Sequence, residues 1–204
     1  MDGSPKGALV VVIATTMKPS DDTRRLRELL LERSVSRGDF VLASGRRSSF
    51  YIDARRTTMS GEGLAVIGTL GLARLRARDW RPQTIGGLTL GADPIAYAVA
   101  LAARAQGVAL DAFTVRKQVK THGTGRRIEG CFAPQTSVVV VEDVITTGGS
   151  AREAIAAVEA EGGRVLGVLA VVDREEGGRA TLEQAGYGVE ALVTLTDLGL
   201  TPAT

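Results

Sequence analysis

The 204-residue sequence is poor in specialised residues, with one cysteine, Cys131, and one histidine, His122. A lone cysteine cannot form an internal disulfide, which favours a reducing compartment, and Cys131 lacks the neighbouring ligands of a metal site. No apolar run reaches the roughly 20 residues that a membrane-spanning helix needs. The net charge of +2 gives no reason to expect nucleic-acid binding. We therefore expect a cytoplasmic protein with no membrane or nucleic-acid partner.

The composition is that of one globular domain. Hydrophobic residues make up 44% and charged residues 24% of the chain, which is enough apolar material for a core. The stretch GALVVVIATT, residues 7–16, is short and lacks a clear signal-peptide cleavage site. Because MKPSDDTRRLRELLLERSV opens a capped helix, we expect residues 1–16 to be a dispensable extension and residues 17–204 to form a single domain. Whether Met17 is the natural start stays open.

The hydrophobic pattern predicts an open α/β domain. A capped segment with leucines at helical spacing predicts a helix from Asp21 to Ser34, and the stretch 39–55 predicts two short strands around a Ser-Gly turn. From residue 84 onward strands alternate with helices, and the basic segment 116–130 is expected to be a loop. Continuous runs of valine, leucine and isoleucine are typical of a parallel sheet covered on both faces. We therefore predict a mostly parallel five-stranded sheet flanked by helices, with a small N-terminal α+β piece over it.

The stretch SVVVVEDVITTGGSAREAI, residues 137–155, combines two acids with an anion-binding loop. Hydroxyls and backbone amides collect where a helix begins, and helix N-termini carry unpaired donors suited to a phosphate. No lysine follows the glycines, so this is not a Walker loop. Glu142 and Asp143 would repel a phosphate, but they suit sugar hydroxyls or positive charge developing at a sugar carbon. The stretch therefore predicts a sugar-phosphate site.

The segment VRKQVKTHGTGRRIEG, residues 115–130, is basic and contains glycine. Arg116, Lys117 and Lys120 place three cations in this segment, which suits a bound group whose negative charge grows during a reaction. Gly123 and Gly125 would let the loop close and exclude water. The segment therefore predicts a second anion-binding element, to which His122 would also contribute.

Four motifs in order resemble those of known phosphoribosyltransferases. The stretch 137–155 resembles the phosphoribosyl-diphosphate (PRPP) motif of type I phosphoribosyltransferases. The basic loop resembles the catalytic loop of orotate phosphoribosyltransferases. FVLASGRRSSFYIDAR resembles the N-terminal signature of that family, and VVDREEGG resembles its Asp-Arg-x-x-Gly segment. The resemblance spans roughly residues 24–195, with one departure, Ala43 in place of a substrate-contacting lysine in some members.

The resemblance implies a type I phosphoribosyltransferase fold, with a hood at about 17–58 and a core at about 59–204. It also implies transfer of a phosphoribosyl group from PRPP to orotate. Lys120, His122, Glu142 and Asp143 would be catalytic, and Thr146 and Arg174 would bind orotate. PRPP would contact the following residues: Arg116, Lys117, Lys120, His122, Glu142, Asp143, Val144, Ile145, Thr146, Thr147, Gly148, Gly149 and Ser150.

The same resemblance implies a magnesium ion that is held mainly by PRPP, with no direct protein ligand. It further implies a homodimer in which the basic loop reaches the neighbouring active site. Two alternatives stay open at this stage: a phosphoribosyltransferase that acts on another base, and a non-catalytic regulator of the same fold that binds nucleotide or RNA. Arg174 and the Tyr51–Arg55 signature argue against another base, since an uncharged base has no carboxylate to pair with Arg174. The near-neutral charge and the intact lysine–histidine loop argue against the regulator, so orotate transfer is the favoured interpretation.

Overall fold

The structure is a computed structural model that describes residues 19–41, 47–118 and 127–202. The expected N-terminal extension, the predicted Ser-Gly turn, Ala43, Lys120 and His122 all lie outside these residues. Within them, no helix combines the length and apolar character needed to cross a membrane.

The N-terminal part contains a helix and a two-stranded hairpin. Helix α1, Pro19–Leu29, continues as one π-helical segment, Leu30–Ser34, in agreement with the helix predicted there. Strands β1, Val35–Val41, and β2, Arg47–Ile52, pair in antiparallel fashion. Alternate side chains of β2 are buried, so one face of the hairpin packs on the protein. A four-residue helix, α2, Arg55–Thr58, which the sequence pattern did not predict, follows the hairpin.

The main sheet has six strands in the spatial order β5-β4-β3-β6-β7-β8. Five of them pair in parallel, as predicted: β3, Thr84–Leu88; β4, Asp111–Val115; β6, Ser137–Ile145; β7, Arg164–Asp173; and β8, Val189–Thr194. The prediction of five strands was wrong by one, because β5, Ile128–Gly130, pairs antiparallel with β4. Only three residues long, β5 has no periodic pattern of its own, and its hydrogen-bonding partner makes it a strand.

Helices cover both faces of this sheet. On one face lie α3, Gly61–Ala77, and α4, Ala92–Ala105; on the other lie α5, Gly149–Ala160, and α6, Gly178–Gln184. Neighbouring valines of β6 alternate between the two core clusters, which explains why this strand is continuously apolar. Helices α3 and α4 approach closely at Gly68, where an added Cβ would lie 2.6 Å from the carbonyl oxygen of Ala98. The parallel order places the carboxyl ends of β3, β4, β6 and β7 along one edge, where open α/β sheets bind ligands.

Candidate active site

A cleft of about 340 Å³ lies at the carboxyl edge of the sheet. It is bounded by the end of β2 and the start of α2, by the loop after β3, by the end of β6 and by the loop after β7. Its lining includes many of the residues predicted from the sequence: Lys117, Glu142, Asp143, Val144, Thr146, Ser150 and Arg174. The sequence-predicted sugar, phosphate and base contacts therefore meet in one cavity.

Glu142 lines this cleft and is only 8% exposed. Its carboxylate accepts hydrogen bonds from the Ser150 hydroxyl and the Ala151 amide at the start of α5. Burial raises the pKa of Glu142 to about 7; the hydrogen bond from Ser150 opposes this and the neighbouring charge of Asp143 adds to it. Oxygen Oε2 has no hydrogen-bond partner among the described residues. The site thus holds a buried acceptor that a ligand hydroxyl could satisfy.

Asp143 is the second acid of the pair and lies against the loop after β3. Its Oδ1 accepts a hydrogen bond of 2.9 Å from the Val144 amide. Burial raises the pKa of the Asp143 carboxyl, while the Val144 amide and the more distant charge of Arg55 pull it down. A Cβ atom at Gly91 would come within 2.7 to 2.8 Å of the Asp143 carboxylate atoms. The position of this carboxylate therefore depends on a residue without a side chain.

The predicted phosphate loop connects β6 to α5. Gly148 caps α5 in the left-handed conformation, with φ of 78°, and the Gly178 amide donates to the Thr146 carbonyl oxygen at 3.0 Å. The first amides of a helix have no intrahelical partner, so the start of α5 offers donors to an anion. Ile145, for which a contact with PRPP is predicted, has a side chain that is fully buried in the core and does not line the cleft. Its side chain belongs to the α5 face of the sheet.

Arg174 also lines the cleft and is 5% exposed. Its Nε donates to Glu176 Oε1 at 2.9 Å, and its guanidinium carbon lies 5.4 Å from the centre of the Phe50 ring. Nitrogen Nη2 has no hydrogen-bond partner among the described residues, although it lies 2.9 Å from the same Glu176 oxygen. Glu176 therefore fixes the orientation of the guanidinium from the Nε and Nη2 side.

Glu176 and Phe50 were not recognised as site residues from the sequence. Glu176 follows Arg174 by two positions within VVDREEGG, so the motif contained the signal. Phe50 comes from β2, and only the folded chain brings it under the guanidinium. Arg55 also borders the cleft, where its Nε donates to Asp53 Oδ1 at 2.8 Å. This hydrogen bond lowers the pKa of the Asp53 carboxyl.

The loop after β3 forms the remaining wall, where Thr89, Leu90 and Gly91 face the cleft. The Thr89–Leu90 peptide bond is cis. Lys117 lines the same cleft, whereas Arg116 lines an adjoining one and pairs with Glu129 at 3.3 Å. The structure thus brings one of the predicted loop cations to the site, and Lys120 and His122 lie outside the described residues.

The cleft offers carboxylate oxygens to a metal ion but, among the described residues, no complete set of protein ligands. Within residues 19–41, 47–118 and 127–202, no three His, Cys, Asp or Glu residues lie close enough together to hold a metal ion. Glu142 and Asp143 nevertheless offer carboxylate oxygens at the cleft, and Oε2 of Glu142 is unpaired. Magnesium prefers oxygen ligands and retains several waters, so a magnesium ion brought in by a phosphorylated ligand fits these residues.

Comparison with known proteins identifies the family. No protein-family model matches the chain. The orotate phosphoribosyltransferase of Rhodopirellula baltica is 40% identical over 185 residues, covering 89% of this chain and 96% of the relative. That of Mycobacterium avium is 44% identical over 179 residues, covering 88% of this chain and 97% of the relative.

Solved structures agree. Mycobacterium tuberculosis orotate phosphoribosyltransferase in complex with PRPP superposes with a TM-score of 0.73 at 42% identity, covering 88% of this chain and 99% of that one. Adenine phosphoribosyltransferase of Trypanosoma brucei, 16% identical with a TM-score of 0.60 and covering 86% of this chain and 80% of that one, shares the fold. The fold, the site and these relatives together show that the chain belongs to the orotate phosphoribosyltransferase family.

Proposed function

We propose that this chain transfers the 5-phosphoribosyl group of PRPP to orotate, giving orotidine 5'-phosphate and diphosphate in pyrimidine biosynthesis. The observation that carries the proposal is the meeting, in one cleft, of the acid pair, the phosphate loop and Arg174. Each of these elements suits a different part of the two substrates. The PRPP complex of the 42% identical Mycobacterium tuberculosis relative supports the choice of donor.

The acid pair acts on the ribose. As a ring nitrogen of orotate forms its bond to C1, the bond from C1 to the diphosphate oxygen breaks and its electron pair leaves with diphosphate, while the proton of the ring N–H passes to water or to the departing diphosphate. Bond breaking runs ahead of bond making, so positive charge develops on the sugar. Glu142 and Asp143 hold the ribose hydroxyls and stabilise that charge, because carboxylates in a dry site interact strongly with it. The unpaired Oε2 of Glu142 is an acceptor suited to one hydroxyl.

The 5-phosphate binds at the start of α5. Thr146, Thr147, Gly148, Gly149 and Ser150 supply hydroxyls and backbone amides there, and the positive end of the helix dipole favours the anion. Val144 lines the cleft beside them. Since the Ser150 hydroxyl also donates to Glu142, this residue links the phosphate end of the ligand to the acid that faces the ribose.

The diphosphate lies toward the loop after β3 and the basic loop. Lys117 at the cleft, with Arg116, Lys120 and His122, neutralises the departing group. When bound with PRPP, magnesium supplies further neutralisation of the phosphate oxygens. The backbone of residues 89–91 approaches the diphosphate, which the absence of a side chain at Gly91 permits.

Orotate occupies the end of the cleft near Arg174. The N–H groups of this guanidinium that do not face Glu176 pair with the orotate carboxylate, for which a planar, fixed guanidinium is well suited. Thr146 contacts the base from below. A base without a carboxylate would leave these N–H groups of Arg174 unsatisfied, which is a source of discrimination against other bases.

A homodimer with shared active sites completes the proposal. Helix α4 exposes two large apolar side chains, Tyr97 at 54% and Leu101 at 72%, beside an apolar groove of about 500 Å³ between α3 and α4. Contiguous apolar surface of this kind marks interaction sites. Tyr97 also borders the cleft that contains Arg116 and Lys117, so a second copy on this face would lie near the basic loop.

The proposed location of the enzyme is the cytoplasm.

The proposal is tested by the loss of orotate absorbance on addition of PRPP and magnesium. We expect absorbance to fall only when enzyme, PRPP and magnesium are all present, and uracil or adenine to give no turnover. Turnover of another base but not of orotate would reject the assigned acceptor. Absence of turnover with every base would favour a non-catalytic regulator.

A further inference from the structure

Asp93 lies next to the active site, yet its carboxylate does not line the main cleft. It is the second residue of α4 and lines the adjoining cleft together with Thr89 and Thr114. Its two oxygens accept two different hydroxyls: Oδ2 takes the proton of Thr89 Oγ1 at 2.7 Å, and Oδ1 takes that of Thr114 Oγ1 at 2.8 Å. One carboxylate therefore ties together the ends of two strands.

The two threonines lie at the carboxyl ends of neighbouring strands, next to the main cleft and the basic segment. Thr89 is the first residue after β3 and faces the main cleft, where the diphosphate is proposed to bind. Thr114 is the penultimate residue of β4, two positions before Arg116 in the basic segment. The Thr89 amide additionally donates to the Val115 carbonyl oxygen at 2.9 Å. Thr89 is thus held both by β4 and by α4.

Asp93 accepts hydrogen bonds with both carboxylate oxygens, and this indicates a structural rather than a ligand-binding role. A carboxylate facing a diphosphate would repel it, but both Asp93 oxygens accept from hydroxyl donors, and Asp93 lines the adjoining cleft rather than the main one. Since Thr114 donates to Asp93, its oxygen is left to accept from Tyr97, whose hydroxyl lies 3.3 Å away. The result is a chain of hydrogen bonds from α4 through β4 and back to the loop after β3. Charged acceptors make stronger hydrogen bonds than neutral ones, so this chain fixes the loop firmly.

We propose that Asp93 is a positioning residue that holds the loop after β3, through Thr89 and Thr114, in the geometry needed to bind the diphosphate of PRPP. The inference rests on the proposed function, because it assigns the diphosphate to that loop. Asp93 acts through Thr89 rather than by touching substrate. An acid in the first turn of a helix also interacts favourably with the helix dipole, and this alternative role would affect stability but not ligand selectivity.

The test measures binding of magnesium diphosphate and of orotidine 5'-phosphate to the full chain by calorimetry. Both ligands occupy the proposed site, but only the first places a diphosphate at the loop after β3. We expect Asp93→Ala to raise the dissociation constant of magnesium diphosphate and the KM for PRPP about tenfold, since two charge-assisted hydrogen bonds are lost. Orotidine 5'-phosphate affinity and the KM for orotate should stay within about twofold of the wild type.

Two further variants keep the test decisive. Thr114→Val removes one hydroxyl without changing side-chain shape, so it should weaken diphosphate binding, and it serves as the test if Asp93→Ala fails to fold. Thr114→Ser keeps the hydroxyl and should bind magnesium diphosphate like the wild type. Asp111→Ala, at the exposed first residue of β4 on the opposite edge of the sheet, serves as the matched control. Equal loss of both ligands, or loss of stability with unchanged diphosphate affinity, would overturn the proposal. Failure of the wild type to bind magnesium diphosphate would instead reject the proposed function itself.

Discussion

Gly91 and Asp143 occupy complementary space at the active site. A Cβ atom at Gly91 would lie 2.7 Å from Cγ and 2.8 Å from each carboxylate oxygen of Asp143. Real Cβ atoms do not approach other heavy atoms so closely, so any side chain at position 91 must displace the carboxylate or the loop. The loop after β3 can therefore pack against Asp143 only because residue 91 is glycine.

The first prediction concerns this contact. Gly91→Ala should lower kcat/KM for PRPP by about tenfold or more, because it displaces the carboxylate that stabilises the developing charge. Gly61→Ala is the matched control, since an added Cβ there meets nothing within 4 Å. Steady-state kinetics and a thermal melt check the result. An active Gly91→Ala enzyme would show that the position of Asp143 does not matter for turnover.

The second prediction follows from the raised pKa of Glu142. Folding favours its protonated form, so between the ordinary value of 4.5 and about 7 the folded chain binds more protons than the unfolded chain. Stability due to this group is therefore present below pH 4.5 and is lost as the pH rises toward 7. Glu142→Gln, which keeps an acceptor for Ser150, should be more stable than the wild type at about pH 8, by on the order of 2 kcal/mol, and catalytically weak.

Denaturant titrations at several pH values measure this effect. The advantage of Glu142→Gln should vanish toward about pH 4, where the wild-type carboxyl is protonated in both states. Glu32→Gln removes the charge of an exposed glutamate and should show no such pH-dependent gain. A variant that is equally destabilised at every pH would contradict the prediction.

The third prediction separates the two substrates. Arg174→Lys should raise the KM for orotate by about tenfold or more and leave the KM for PRPP nearly unchanged, because lysine lacks the planar fork that Glu176 and Phe50 orient. Arg164→Lys, at an exposed position on β7, is the control. A parallel rise in both KM values would indicate that Arg174 supports the cleft as a whole rather than the base subsite.

The fourth prediction tests the shared active site. Lys120→Ala and Asp143→Asn chains should each be nearly inactive alone. If the basic loop completes the neighbouring site, half of the dimers in an equal mixture are mixed and each has one intact site, giving about a quarter of the wild-type rate. Subunit exchange is verified by mass measurement of the dimers. Verified mixed dimers without recovered activity would place Lys120 in the site of its own chain.

The parallel strands and most helices could be predicted because their signal is local. Uninterrupted valine runs such as 138–141 indicate strands covered on both faces, and the glycines after β6 mark the start of α5. Strand β5 could not be predicted in this way, since three residues carry no periodicity and their extended form depends on pairing with Phe113–Val115. Local sequence patterns therefore predict the longer helices and strands, whereas so short an edge strand forms because it pairs with the neighbouring strand β4.

The site was predicted as a set of motifs rather than as a geometry. Glu142, Asp143 and Arg174 could be named because each belongs to a recognisable string. The contacts that orient these residues could not be predicted, because Gly91 and Asp143, and likewise Phe50 and Arg174, lie far apart in the sequence and come together only in the folded chain. The burial of the Ile145 side chain could not be read from the motif either, because alternation along β6 turns this side chain into the core.

The most direct test of the central claim is the stoichiometry of the reaction in wild-type and Asp143→Asn enzymes. With PRPP and magnesium, the wild type should release one diphosphate for each orotate consumed, while Asp143→Asn should bind orotidine 5'-phosphate, remain folded and turn over at least about a hundredfold more slowly. Asp111→Asn should behave as the wild type. Undiminished turnover by folded Asp143→Asn, or orotate consumption without matching diphosphate, would contradict the account.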